Sequence, residues 1–175
     1  NAALSKAQGS TAENSGISST QAANAASNAR AALSVSMQNM YAALDDAIHT
    51  KSDTLFNNPD TASPTLVPFT MPDSQLVSNI QSERLALQTA LKNAGALASG
   101  AASSTSVDAD VDSMHAAAQS AISFLNDMIA ALNQAVSNQY ESASAISSGQ
   151  TALSAARSEV VTALSGLTSA KTAYD

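Results

Sequence analysis

The 175-residue chain sets 14 acidic side chains against seven basic ones, for a formal charge of −7, and its 45% apolar content includes only 3% aromatics, no Trp and no Cys. This length suits one domain or one elongated bundle, and with alanine supplying much of the apolar content no thick core can form. Disulfide scaffolds and thiolate metal sites are excluded, and the few cations, scattered from Lys6 to Lys171, form no basic stripe for nucleic acid or an anionic membrane surface.

Small side chains let helix axes approach toward the lower end of the usual ~8 to 10 Å separation, so a thin, extended packing is expected. All four Pro fall between Pro59 and Pro72, which leaves the rest of the chain free to be helical. From Asn1 to Ser27 the chain is rich in Ala, Ser, Asn and Gly, and Gly9 and Gly16 each cost roughly 1 kcal/mol against Ala inside a helix. A first helix is expected over about 16–56: Ala26, Leu33, Met40 and Ala47 form one heptad line, Met37 and Leu44 a second, with Ile48 and Leu55 widening the stripe. Asn57, Asn58 and Pro59 end it.

The segment 57–72 carries Pro59, Pro64, Pro68 and Pro72 and is expected to be an irregular loop. Its apolar Leu66, Val67, Phe69 and Met71 should lie on the end of the bundle, where they make a candidate protein contact surface. A second helix over about 73–98 follows, N-capped by Thr70 or Asp73, with Leu76, Ile80, Leu87, Leu91 and Ala94 on one face. The Ser-Gly stretch from Ser99 to Ser106 closes it. Asp108, Asp110 and Asp112 open a third helix, over about 107–136, where unsatisfied N–H groups and the helix dipole favour negative charge. Its stripe is Val111, Met114, Ile122, Leu125, Ile129, Leu132 and Val136.

One heptad register runs from Val111 through Ala118, Leu125 and Leu132 to Ile146, Leu153, Val160, Leu167 and Tyr174, broken at Gln139. The companion line of Met114, Ala121, Met128 and Ala135 turns polar at Ser142. This predicts a junction near Ser137 to Ala145 and a fourth helix over about 141–174. A single unbroken helix from Val107 to Tyr174 is the alternative; at ~1.5 Å per residue it would span on the order of 100 Å and strand Leu153, Val160 and Leu167 in water. The expected fold is therefore all-α, an elongated antiparallel up-down-up-down four-helix bundle or coiled-coil hairpin, forming one domain over 1–175. Beginning at Asn rather than Met, the chain is expected to be a fragment of a longer protein whose flanks hold any membrane anchor.

Motifs with chemical meaning are few. The spacing of Asp108, Asp110 and Asp112 opens a calcium loop, but Ser113 stands where the sharp-turn Gly belongs and Gln119 where the bidentate Glu belongs. His49 and His115 could bind a metal only with their helices in register and carboxylates such as Asp45 or Asp53 beside them. Asp45, Asp46, Lys51 and Asp53 point to different helix faces and read as a solvated surface. Met37, Met40, Met114 and Met128 occupy core positions as flexible filler. No serine stands in a nucleophile elbow. Neither an enzyme activity nor a cofactor nor a resident metal is expected.

Tyr41-Ala-Ala-Leu-Asp-Asp-Ala-Ile48 followed by Lys51-Ser-Asp-Thr-Leu-Phe-Asn-Asn-Pro59, and Pro72-Asp-Ser-Gln-Leu76 with Ile80 and Arg84 after it, form a distinctive pattern. With Leu153-Ser-Ala-Ala-Arg157 and Ala163-Leu-Ser-Gly-Leu-Thr168, they resemble the helical segment inserted in bacterial membrane fusion proteins, the periplasmic adaptors related to HlyD and MacA. The resemblance covers roughly Ala31 to Tyr174. It implies an extracytoplasmic helical projection, flanked in the full protein by lipoyl-like and β-barrel domains, that links an inner-membrane exporter to an outer component.

The expected function is thus a nonenzymatic adaptor segment making protein contacts in an export or efflux assembly. Its partners would be an ABC-type or other inner-membrane exporter and an outer channel, with homo-oligomerisation open, no nucleic acid, and membrane contact only through the flanks. A surface with 12% charged residues and abundant Ser, Thr, Asn and Gln fits the periplasm or cell surface better than the cytosol. Two alternatives remain at this level: a four-helix ligand-binding domain of a chemoreceptor or sensor kinase, and a self-assembling surface filament protein.

Overall fold

In the computed structural model, residues 2–67, 71–137 and 142–175 are described, with side chains from residue 18 onward. The protein is an all-α helical bundle of α1 (Ala2–Asp45), α2 (Ser74–Gly100), α3 (Val107–Gln134) and α4 (Ala143–Tyr174). Between α1 and α2 lie a π-helical turn (Asp46–Ser52), a 3-10 turn (Asp53–Leu55) and two short strands, β1 (Phe56–Asn57) and β2 (Thr65–Leu66).

Heptad positions supply the core. Val111, Ala118, Leu125 and Leu132 of α3 are buried, as are Ile146, Leu153, Val160 and Leu167 of α4. Met114, Ala121 and Met128 join them from the companion line, and Leu33, Met37, Met40 and Leu44 from α1. Phe124, fully buried, adds the one large ring in the middle of α3.

The register break is a true junction. Helix α3 stops at Gln134, where Ala135 turns to extended backbone (φ −66°, ψ 136°). Helix α4 starts at Ala143, capped by Ser142, whose side-chain oxygen accepts from the Ala145 N–H at 3.1 Å. Gln139 itself lies outside the described residues. Gln150 of α4 reaches across to donate to the Leu132 carbonyl and Asn133 Oδ1, both at 3.1 Å, supplying a partner to a carbonyl at the α3 terminus. Further along, Arg157 bonds Asn126 at 2.9 Å and Lys171 pairs with Asp108 at 3.0 Å. Positions on α3 fall as those on α4 rise, so these two helices run antiparallel.

Helices α1 and α2 are also antiparallel. Arg84 meets Asp53, the Tyr41 ring packs on Gly95, and Arg30 donates to the carbonyls of Ala102 and Ser104 beyond the end of α2. A Cβ at Gly95 would lie 3.1 Å from the Tyr41 ring, so glycine admits the close approach there. Because Arg30 already sits at the α2–α3 turn, the first part of α1 extends past it, and residues 18–28 are exposed.

Several sequence expectations are corrected. The α-helical part of the first element begins at Ala2 and ends at Asp45, not over 16–56; alanine-rich surroundings carry Gly9 and Gly16, and Ala26 is exposed because α1 has left the bundle there. Val136 is 59% exposed because α3 ends two residues before it. Helix α2 continues to Gly100, beyond the expected stop at Ala98. The segment after Phe56 is not wholly irregular, since Phe56 pairs with Leu66 and Asn57 with Thr65. Asp73 is the α2 cap, accepting from Leu76 N–H at 3.0 Å, while Thr70 lies outside the described residues.

One carboxyl in the α2–α3 interface opposes the fold at neutral pH. Glu83 Oε2 is buried and finds no hydrogen-bond partner among the described residues, and burial, then the charge of Asp127, raises its pKa above the ordinary 4.5. Because the folded state holds this proton to higher pH than the unfolded chain, its contribution favours folding more as pH falls into that window and is lost as pH rises through the folded value. Glu83→Gln is therefore expected to raise the thermal midpoint at pH 7 and to flatten the decline in stability above pH 4.5, as read by calorimetry across pH.

Candidate functional site

Arg84 occupies a core position of α2, between the buried Ile80 and Leu87, and its side chain is itself 0% exposed. A guanidinium there is tolerable only if its charge is met. Asp53 meets it: Nε donates to Oδ1 at 2.6 Å and Nη2 to Oδ2 at 2.8 Å, the bidentate geometry that suits a planar fork. The Asp53 side chain is only 10% exposed. Asp60, from the loop, lies 3.6 Å from the same guanidinium.

The elements around this pair hold the loop against α2. The π-helical turn accommodates an extra residue per turn, as such turns often do near functional positions, and Ser52 within it is buried with its hydroxyl on the Ile48 carbonyl at 2.8 Å. Phe56 leaves the turn to stack on Phe124, ring centres 6.2 Å apart. Asn58 then adopts a left-handed conformation (φ 52°), which asparagine tolerates better than most residues. Gln88 donates to the Pro59 carbonyl at 2.8 Å and to the Thr61 carbonyl at 3.3 Å. The backbone on both sides of Asp60 is thereby fixed to α2.

Beside the clamp, His49 Nδ1 bonds Asp45 Oδ1 at 2.8 Å, and an open groove of about 460 Å³ runs between Tyr41, His49, Asp60, Gln88, Lys92 and Gly95. The loop thus folds back along the flank of α2 as far as Gln88, and is not confined to the bundle end as the sequence led us to expect. Of the candidate contact residues, Leu66 in β2 and Met71 are half-buried against the core. Val67 is half-buried, and its N–H donates to the Leu55 carbonyl at 3.0 Å. Phe69 lies outside the described residues.

The remaining candidates separate. His115 is exposed on α3 beside Gln119 and is not brought to His49. Asp108 pairs with Lys171, and Asp110 accepts from the Ser104 hydroxyl. Asp45, Asp46 and Asp53 take different partners, namely His49, Lys51 and Arg84. Met37, Met40, Met114 and Met128 are all buried in the core. Arg84 and Gln88 were missed as site residues by sequence reasoning, although an arginine four residues after Ile80 and three before Leu87 on an apolar stripe is itself the sign of a buried acid partner.

Compared with protein-family models, curated proteins and solved structures, the chain finds no match in any of the three. No helix of the described residues is long and apolar enough to cross a membrane.

If Gln88 holds the loop to α2, Gln88→Ala removes about 1 kcal/mol from the local closing of the loop without touching the core. Limited proteolysis should then cut within residues 57–65 about five times faster, while global unfolding in urea shifts little.

Proposed function

We propose that this chain is a nonenzymatic helical projection of a periplasmic adaptor of the membrane fusion type, acting through protein contacts in an export or efflux assembly. One observation supports the reading best: Arg30 of α1 and Tyr174 at the end of α4 border the same cleft with the α2–α3 turn. A segment inserted into another domain must return toward the place where it enters; the packed part of the bundle does so, since α1 joins it at Arg30 beside the end of α4, while the earlier part of α1 extends beyond that end. The heptad packing of α3 against α4 and the motif around Asn57 to Pro59 agree with it.

On this reading the chain lies outside the cytoplasm, held at a membrane by flanking segments, and its partners are an inner-membrane exporter, ABC-type or other, and an outer channel. The loop from Asn57 to Pro72 is its contact surface. Its fixation by Arg84 and Gln88 lowers the entropy lost on docking. Val67 is the best single probe, because it is half-buried and does not belong to the apolar cluster that includes Leu66 and Met71.

Val67→Asp combined with Phe69→Ser is expected to reduce capture of a detergent-solubilised exporter from the source membranes about tenfold in a pull-down, with helicity unchanged by circular dichroism. Undiminished capture by the folded double variant would contradict the assignment of this loop.

A further inference from the structure

We infer that His49, Asp53 and Asp60 form a site for a borderline divalent transition metal, Zn²⁺ being the ion that suits it best. A ring nitrogen of His49 and one carboxylate oxygen from each aspartate lie within 4.8 Å of one another, close enough for one small ion to draw them together. The three residues come from different local structures, the π-helical turn, the 3-10 turn and the loop beyond Asn58.

Each ligand is positioned by a separate outer partner. Asp45 Oδ1 takes the bond from His49 Nδ1 at 2.8 Å; an ionised carboxylate can only accept, so the neutral ring carries its proton on Nδ1 and its lone pair on Nε2. This carboxylate–histidine pairing is the one that metal-binding imidazoles ordinarily have. Asp53 is oriented by Arg84 at 2.6 and 2.8 Å, and each of its oxygens retains a second lone pair. Asp60 is set by Gln88, which holds the carbonyls of Pro59 and Thr61 on either side of it.

Charge points the same way. Asp53 and Asp60 pair with Arg84, the one buried cation among the described residues, and Asp45 pairs with His49, so carboxylates outnumber the guanidinium here, with Lys92 across the groove and Lys51 occupied by Asp46. One imidazole with two carboxylates selects Zn²⁺ over Mg²⁺ or Ca²⁺, which prefer all-oxygen shells. His49 and Asp60 border the open groove, so the ion has a path in. Bound there, it would tie the loop to the end of the first helical element; this inference stands apart from the adaptor reading.

The test is titration calorimetry of ZnCl₂ alone into the full chain at pH 7, with MgCl₂ as the contrast. One equivalent of Zn²⁺ should bind, His49→Ala and Asp60→Asn should each weaken it at least about tenfold, His115→Ala should leave it unchanged, and Mg²⁺ should give no saturable signal. His49 and Asp60 are both exposed, so these variants keep the buried clamp and the fold, which circular dichroism checks. Absence of saturable Zn²⁺ binding, or equal affinity in His49→Ala and the parent chain, overturns the inference.

Discussion

The architecture between α1 and α2 depends on one buried ion pair, Arg84 with Asp53. Taking a guanidinium out of water is costly, and an apolar residue at position 84 would continue the stripe from Ile80 to Leu87 without that penalty. What the pair supplies is a fixed relation between parts of the chain separated by 31 positions: the last turn of the first helical element and the third turn of α2. Once this relation is set, the intervening loop has to close over it, and Asn58, Gln88 and the Phe56–Leu66 pairing determine how. The core of small residues and methionines would bring helices together in several registers; a charged pair with two directional bonds favours one.

The rest of the bundle is held by weaker and more numerous contacts. Alanine at heptad positions permits close helix approach but buries little surface per residue, so stability is distributed along the length of the helices. Polar bridges along the helices limit sliding: Gln150 near the α3–α4 junction, Arg157 midway along α4, and Arg30 and Lys171 at the opposite end. Lys171 is held in its charged form above the ordinary lysine range by hydrogen bonds to Asp175 and then Asp108. These contacts fix where the chain enters and leaves the bundle, the property on which the proposed function rests.

Helix identity and the junction before Ala143 were legible in the sequence because both follow from a seven-residue period and its failure at Gln139 and Ser142. The end of the first helical element was not. Asp46 to Leu55 keeps Ala47, Ile48 and Leu55 buried and therefore looks helical by pattern, but its backbone changes from α to π to 3-10 geometry, which side-chain periodicity does not distinguish. The loop was read as apolar and lying on the bundle, yet its path along α2 depends on Gln88, a polar residue on an ordinary helix surface with nothing in the sequence to mark it. His49, Asp53 and Asp60 were not grouped because Asp60 approaches through the turn at Asn58, and no sequence spacing encodes that approach.

A double-mutant cycle on the central pair tests the account most directly. Urea unfolding of the parent chain, Arg84→Met, Asp53→Leu and the combined variant gives the coupling between the two side chains free of their separate desolvation costs. We expect each single change to destabilise strongly, the combined change to recover much of the loss, and a coupling of about 2–4 kcal/mol. Additive losses within about 0.5 kcal/mol would mean that the pair does not organise this part of the fold.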